Sequence, residues 1–385
     1  MAATVAARAA LPEARRLEGE ALTRYSRHLL LPGVGREGQT RLFAARLLVV
    51  GAGGLGSPAC LYLAAAGVGS ITVVDDDVVD LSNLQRQVLY VDADRGAPKA
   101  ERAAASMRAR APDITVTPRC ERVDASNAAA LVAGHDVVVD GTDNLATRYA
   151  LADACARAHV PYVYGSVHRF EGQVAVFYPP HGACYRCLFP TPPPPEAVPS
   201  CAEAGVLGVL PGLVGTLQAT QALELLLGHG EPLVHALLSI DAATTRFHRF
   251  ATTRDPACIV CGPHASAAAA AHEAPAVGAP VLEVTPHELA RMRDEGERYF
   301  LLDVRSPQEA DVCAIAGATL VPVNELAARA AELPRDVPIV AYCKSGARSA
   351  RAVRWLQSAG IFDARSLAGG ILAWIDAVDA SLAKY

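Results

Sequence analysis

Lysine is nearly absent from this 385-residue chain, where three lysines stand against 32 arginines. Each of the three, Lys99, Lys344 and Lys384, is therefore worth locating. No charge of one sign dominates either: the net charge is −5, so no basic field draws the chain to nucleic acid or to anionic lipid. Long apolar runs are missing as well. The longest uncharged stretch, residues 204–223, carries four glycines, a proline and two glutamines, which makes a poor membrane span. The first 20 residues hold three glutamates and no apolar core of the signal-peptide kind, so a cytoplasmic protein is expected. What the chain has in quantity is alanine, about a fifth of all residues. At 51% hydrophobic and 19% charged it reads as globular, and its length suits two or three domains.

Ten cysteines need an explanation. In a cytoplasmic setting disulfides are disfavoured, which leaves metal binding, thiol chemistry or packing.

Residues 1–20 read as a loose lead-in and residues 21–261 as a first large unit. Within it, the apolar runs at 46–50, 70–74, 114–117 and 136–140 read as buried strands. The stretches 57–66, 99–109 and 145–158 between and after them read as helices, and such alternation implies a parallel sheet covered on both faces. Residues 190–199 are too proline-rich for helix or central strand and read as a loop. Residues 262–280, rich in Ala, Pro and Gly, read as a linker. Residues 281–385 form a small α/β domain, with strands at 299–304 and 338–342 and helices at 286–293 and 347–359.

A glycine-rich turn at residues 51–56 follows the first strand and opens a helix. Its glycines permit close backbone approach to phosphates, and the helix amides face the anion. Asp75 ends the next strand, where a carboxylate can grip ribose hydroxyls. That much also fits a nicotinamide-dependent oxidoreductase. The next segments of the chain fit a triphosphate better: Ser82, Asn83, Leu84, Gln85, Arg86 and Gln87, then Lys99, then Gly141, Thr142, Asp143 and Asn144 just after the fourth strand. Arg86 and Lys99 supply cations, and Asp143 is a hard oxygen ligand for Mg²⁺.

Taken with Arg24, Tyr25, Ser26 and Arg27, these segments resemble the adenylating enzymes that activate ubiquitin-like sulfur carriers, in particular the molybdopterin-synthase adenylyltransferases. The resemblance covers nearly all of residues 20–262. It implies a Rossmann-like doubly wound domain in which Gly54, Asp75, Ser82, Asn83, Leu84, Gln85, Arg86, Lys99, Asp143 and Asn144 surround ATP. It further implies a homodimer, with Arg27 reaching the phosphates of the neighbouring subunit's ATP. The implied substrate is the Gly-Gly carboxylate of a small carrier protein, converted to an acyl-adenylate.

Cys184 and Cys187 form one C-x2-C pair, and Cys258 and Cys261 form another 70 residues on. Two such pairs complete a closed tetrahedron around zinc, a structural site with no open position. The resembling family carries zinc at these positions.

Cys343 opens a loop, residues 343–349, between a strand and a helix. Converging amides and the helix N-terminus stabilise a thiolate there, and Lys344 and Arg348 add positive charge. Protein phosphatases place arginine six positions after such a cysteine; here Arg348 comes five after, making a smaller cradle suited to a terminal sulfur. With residues 301–305 and 367–374, the loop resembles a single rhodanese domain, so Cys343 is expected to carry a persulfide. One segment departs from that family: its Gly-His-Ile-Pro-Gly-Ala turn is replaced by residues 313–318, which begin with Cys313.

Cys201 follows the proline-rich loop, where the resembling family has a proposed acceptor or resolving thiol. Cys60, Cys120, Cys155 and Cys313 lie in no motif and read as packing. The combined expectation is an adenylyltransferase whose product meets a persulfide on Cys343, giving a carrier thiocarboxylate for molybdopterin synthesis or a related pathway. The sulfur donor is a cysteine desulfurase or thiosulfate. Extended, the 19-residue linker spans roughly 60 Å, so reach does not limit the transfer. Three other readings stay open: a conjugating enzyme with a thioester on Cys201, an NAD-dependent oxidoreductase, and a non-catalytic regulator.

Overall fold

The computed structural model describes residues 17–179, 181–193, 205–263, 265 and 281–385. Cys201 and nearly all of the expected linker lie outside the described residues. Two compact units meet in sequence between residues 275 and 276.

The first unit is built on an eight-stranded sheet of order β3-β2-β1-β4-β5-β6-β7-β8. Its parallel part comprises β1 (Arg46–Val50), β2 (Ser70–Val74), β3 (Thr115–Arg119), β4 (Val137–Asp140) and β5 (Tyr162–His168). Strands β1 and β4 carry unbroken apolar runs because helices cover both faces of the sheet, and Leu47, Leu48, Val49 and Val137–Val139 are fully buried. Burying such a side chain contributes about 1.5–3 kcal/mol, so this central pair anchors the unit.

The parallel sheet expected from the sequence is realised in five of the eight strands that form. Beyond β5 the chain turns back through β6 (Glu171–Phe177), β7 (Ala236–Asp241) and β8 (Arg246–Ala251), all antiparallel. Two of the three joints are short turns, one after His168 with Arg169 at φ 54° and one after Asp241, while the chain between β6 and β7 runs through helix Val209–Leu227. Strand β8 is an exposed edge, with Phe247 and Phe250 facing solvent.

Helix Val209–Leu227 packs against helix Gly56–Ala65. Gly215 permits the contact: a Cβ there would stand 2.2 Å from the Leu55 carbonyl oxygen. Among the described residues no helix is long and apolar enough to cross a membrane.

The second unit is a five-stranded parallel sheet, β11-β10-β12-β13-β9. Its strands are β9 (Glu283–Val284), β10 (Phe300–Asp303), β11 (Thr319–Leu320), β12 (Ile339–Tyr342) and β13 (Ala364–Leu367). Alternation along β12 sends Ile339, Ala341 and Cys343 to the core under helix Ala347–Ser358. Val340 and Tyr342 go to the opposite core, with helices Pro286–Asp294 and Gly370–Ala377. The period-2 register thus places the cysteine sulfur on the face of the helix that follows it.

Candidate functional site

In the first unit, chain order and sheet order part company between β1 and β4, and ligands of open α/β sheets bind at the carboxyl ends of strands at such a point. Val50 ends β1 opposite Asp140 at the end of β4, so the glycine-rich turn and residues 141–144 leave the sheet side by side. They touch backbone to backbone. A Cβ on Gly51 would stand 2.6 Å from the Gly141 carbonyl oxygen, and one on Gly141 would stand 2.6 Å from that of Gly51. Gly51 also has φ 87°, open to glycine and little else.

Around this junction the structure gathers most of the expected residues. Gly54 lies beside Arg86, whose Cδ would be 3.6 Å from a Cβ added there. Arg86 Nη1 donates to the Ser82 carbonyl at 2.9 Å. Asp75 accepts from Ala52 N–H at 2.7 Å, tying the second strand to the glycine turn. Burial raises the Asp75 carboxyl above its ordinary value, against two backbone hydrogen bonds that pull it down.

Several of these side chains also have a structural duty. The Asn83 side chain accepts from Asp80 N–H at 3.1 Å, and Asn144 caps helix Leu145–Ala158 by accepting from Thr147 N–H at 2.8 Å. Leu84 packs on the main core, and Gln85 lies against Gly208, where a Cβ would stand 2.4 Å from its side-chain oxygen. Ser82 bonds Asp80, and Asp143 is exposed at the mouth. Arg27 sits apart, exposed on helix Ser26–Leu29 beside the exposed Leu30 and Leu31.

Three neighbours were missed by sequence reasoning. Asp77 holds Lys99: Lys99 Nζ lies 2.8 Å from Asp77 Oδ2. Tyr90 donates to the Ala52 carbonyl at 2.8 Å, clamping the glycine turn from below. Arg148 Nε donates to fully buried Asp140 at 3.0 Å, and its Nη2 donates to the Thr142 carbonyl at 2.7 Å, which fixes the loop carrying Asp143. The spacing Asp75–Asp77 and the run 140–148 were visible, but their pairing depends on the fold.

Cys184, Cys187, Cys258 and Cys261 converge with their sulfurs all within 4.8 Å of one another. The Cys184–Cys258 and Cys187–Cys261 separations are both 3.4 Å, and Cys184–Cys187 is 3.7 Å. A zinc–thiolate tetrahedron with bonds of about 2.3 Å has edges of about 3.8 Å, so the four sulfurs fit that ion. Among the thiols themselves, the hydrogen bond from Cys184 draws Cys187 down to about 5, while burial pushes Cys261 up to about 11. A shared divalent cation lets all four ionise together.

The other cysteines divide. Cys60 and Cys155 are buried packing; burial pushes the Cys60 thiol up to about 12, so it is inert. Cys313 is buried too, with φ −165°, extended backbone that any residue adopts, so the departure from the family's glycine brings no strain. Cys120 corrects the packing reading: it is exposed, because it follows β3 at the edge of the sheet.

In the second unit Cys343 is 1% exposed at the end of β12. Its Sγ accepts from Gly346 N–H at 3.1 Å and lies 3.6 Å from Ser349 Oγ. Residues 371–372 hold the loop: Ile371 N–H donates to the Cys343 carbonyl at 2.8 Å and Leu372 N–H to that of Lys344 at 3.1 Å. A Cβ on Gly370 would strike the Cys343 carbonyl oxygen at 2.5 Å, which is why glycine stands there. Arg348 departs from expectation. It is paired with Glu309, bonding it through both terminal nitrogens at 2.6 Å.

A glycine-rich turn at a sheet switch point and, in the same chain, a buried thiol bonded by a loop amide are the features expected of an enzyme that activates a carboxylate and handles sulfur. The chain belongs to the ThiF family, which its residues 25–260 match, and residues 285–377 match the Rhodanese-like domain. It is accordingly an adenylyltransferase with a sulfurtransferase domain, and that family implies ATP. Over 385 residues it is 44% identical to the probable adenylyltransferase/sulfurtransferase MoeZ of Mycobacterium tuberculosis, covering 96% of each chain. Over 248 residues it is 51% identical to the sulfur carrier protein adenylyltransferase of Thermus thermophilus, covering 63% of this chain and 92% of that one. The E. coli MccB structure with ATP shares the fold, with a TM-score of 0.54 at 23% identity over 66% of this chain and 76% of that one.

Proposed function

We propose that the first unit adenylates the C-terminal Gly-Gly carboxylate of a small ubiquitin-like sulfur carrier, and that Cys343 then delivers sulfur to it. The observation that carries this reading is the backbone contact between the glycine turn and Gly141. It sets the turn's amides beside the Asp143 loop, with Arg86 against Gly54 and Lys99 paired to Asp77 just beyond the end of β2. The carrier carboxylate attacks the α-phosphate of ATP and pyrophosphate leaves. Arg86 and Lys99 bind the phosphates, and Asp143 is the group that would hold Mg²⁺, which neutralises phosphate charge when bound. Asp75, already bonded to the glycine turn, binds the ribose.

Cys343 carries the sulfur as a persulfide, taken from a cysteine desulfurase or from thiosulfate. The terminal sulfur attacks the carbonyl of the acyl-adenylate and AMP leaves, giving an acyl disulfide. A thiol, Cys201 or an external one, then attacks the Cys343 sulfur, which frees the carrier thiocarboxylate and leaves a disulfide on Cys343. Arg27 reaches the ATP of a second copy; its exposure beside Leu30 and Leu31 supports a homodimer. Zinc thiolates and unpaired buried cysteines suit a reducing compartment, so we place the protein in the cytoplasm. The test is Cys343→Ala with a candidate carrier. It should keep carrier-dependent ATP–pyrophosphate exchange yet yield no carrier heavier by the roughly 16 Da that separates sulfur from oxygen. Loss of exchange in that variant sinks the division of labour.

A further inference from the structure

We propose that Tyr385 is a positioning residue of the sulfur-transfer loop, its ring holding the ammonium of Lys344, which directly follows Cys343, so that the loop receives an anionic sulfur donor. The inference rests on Cys343 being the sulfur-carrying residue. Lys344 Nζ lies 4.7 Å from the centroid of the Tyr385 ring, within the range of cation–π attraction.

The ring is itself fixed. Its hydroxyl accepts from Arg305 Nη1 at 2.7 Å and donates to Glu309 Oε1 at 3.2 Å. Both anchors are braced in turn. Arg305 is fully buried and bonds Asp303 at 2.6 Å through Nη2, and Glu309 is held by Arg348. Adjacent Lys384 pairs with Asp376 at 2.6 Å, which pins this stretch of chain. A line of contacts thus runs from Asp303 at the end of β10 through Arg305 and Tyr385 to Lys344.

The arrangement answers an electrostatic need. A thiolate must meet a donor such as thiosulfate, which carries two negative charges. Arg348, the loop's other cation, already shares its charge with Glu309. A lysine has many rotamers, and fixing it in advance removes an ordering cost from binding. In the step it assists, the Cys343 thiolate attacks the outer sulfur of thiosulfate, the S–S bond of thiosulfate breaks, and sulfite leaves with the electron pair. The Cys343 persulfide then gives its outer sulfur to an acceptor, regenerating the thiolate.

The test uses the full-length zinc-loaded protein with thiosulfate as donor and cyanide as acceptor. Tyr385→Leu should raise the KM for thiosulfate about three- to tenfold, the range a lost cation–π contact spans, with kcat within about twofold. Tyr385→Phe keeps the ring but loses its hydroxyl anchors, so its KM should fall between the original and that of Tyr385→Leu. Lys344→Met should match Tyr385→Leu, and the double variant should lose no more than either alone. An unmoved KM in Tyr385→Leu, or losses that multiply in the double variant, overturns the proposal. If Tyr385→Leu does not fold, Tyr385→Trp decides: a KM at or below the original supports the ring's role, and one as high as in Lys344→Met refutes it. Cys343→Ser separates the two levels. Activity surviving in Cys343→Ser sinks the sulfurtransferase reading itself, whereas an inactive Cys343→Ser beside an unmoved Tyr385→Leu sinks the positioning role alone.

Discussion

Glu309 and Arg348 grip each other through two hydrogen bonds of 2.6 Å although 39 residues separate them. Burial works to raise the Glu309 carboxyl, and the Arg348 fork outweighs it, leaving Glu309 below its ordinary value. A carboxyl depressed in the folded state stabilises the fold above its unfolded value. That contribution is lost as pH falls through the folded value. The second unit should therefore lose stability as pH drops below about 4.5, and Glu309→Gln should flatten that slope. At neutral pH the same change strands a buried guanidinium, a cost of about 3 kcal/mol. Both tryptophans, Trp355 and Trp374, belong to this unit, so tryptophan fluorescence follows its unfolding alone. An acid slope identical in the variant would count against the pairing.

The Asp140–Arg148 pair does the same work for the nucleotide site. Asp140 is fully buried, and besides Arg148 it accepts from Tyr162 at 2.5 Å and from Thr142 N–H at 2.9 Å. Arg148→Met leaves that carboxylate buried and poorly compensated, at about 3–5 kcal/mol by chemical denaturation. It also unfastens the Thr142 carbonyl, so the KM for ATP should rise in the folded fraction. A variant as stable as the original would show the pair to be dispensable.

How much of the fold and site is legible in the sequence depends on the range of each signal. Apolar runs of four or five residues announce β1, β2 and β4 because both faces of a parallel sheet are buried. The Thr285–Glu288 and Ser306–Glu309 capping boxes span four residues and mark their helices locally. Each C-x2-C pair is local too. Strands β5 to β8 all escape, and for β8 the cause is plain: it is exposed throughout and lacks an apolar run. Asp77, Glu309 and Tyr385 escape for another reason: their partners lie 22, 39 and 76 residues away, and only the fold introduces them.

Zinc should bind one ion per chain, since one four-cysteine cluster exists among the described residues. Cys184 and Cys258, 74 residues apart, meet in that cluster, so removing the metal frees two distant segments at once. Treatment with a chelator should lower the unfolding midpoint of the first unit and expose four additional reactive thiols. Cys258→Ser should lower the same midpoint before any chelator is added. Metal analysis with thiol titration checks both, and a midpoint indifferent to chelation would remove the structural role.

Lys99 is 7% exposed in its side chain while its partner Asp77 is 70% exposed, so the pair sits at a boundary with the ammonium inward. Lys99 opens helix Lys99–Arg110, and under the proposed function its ammonium meets the triphosphate. Lys99→Met should therefore cut carrier-dependent ATP–pyrophosphate exchange by about 100-fold or more, the scale of losing one preorganised positive donor. Stability should change little, because Asp77 is left facing water and a thioether fills the buried space. Lys99→Arg keeps the charge but not its compact shape, and should recover only part of the rate. Exchange measured beside a denaturation curve separates the two effects. A Lys99→Met protein that exchanges near the original rate would falsify the assignment of Lys99 to the nucleotide.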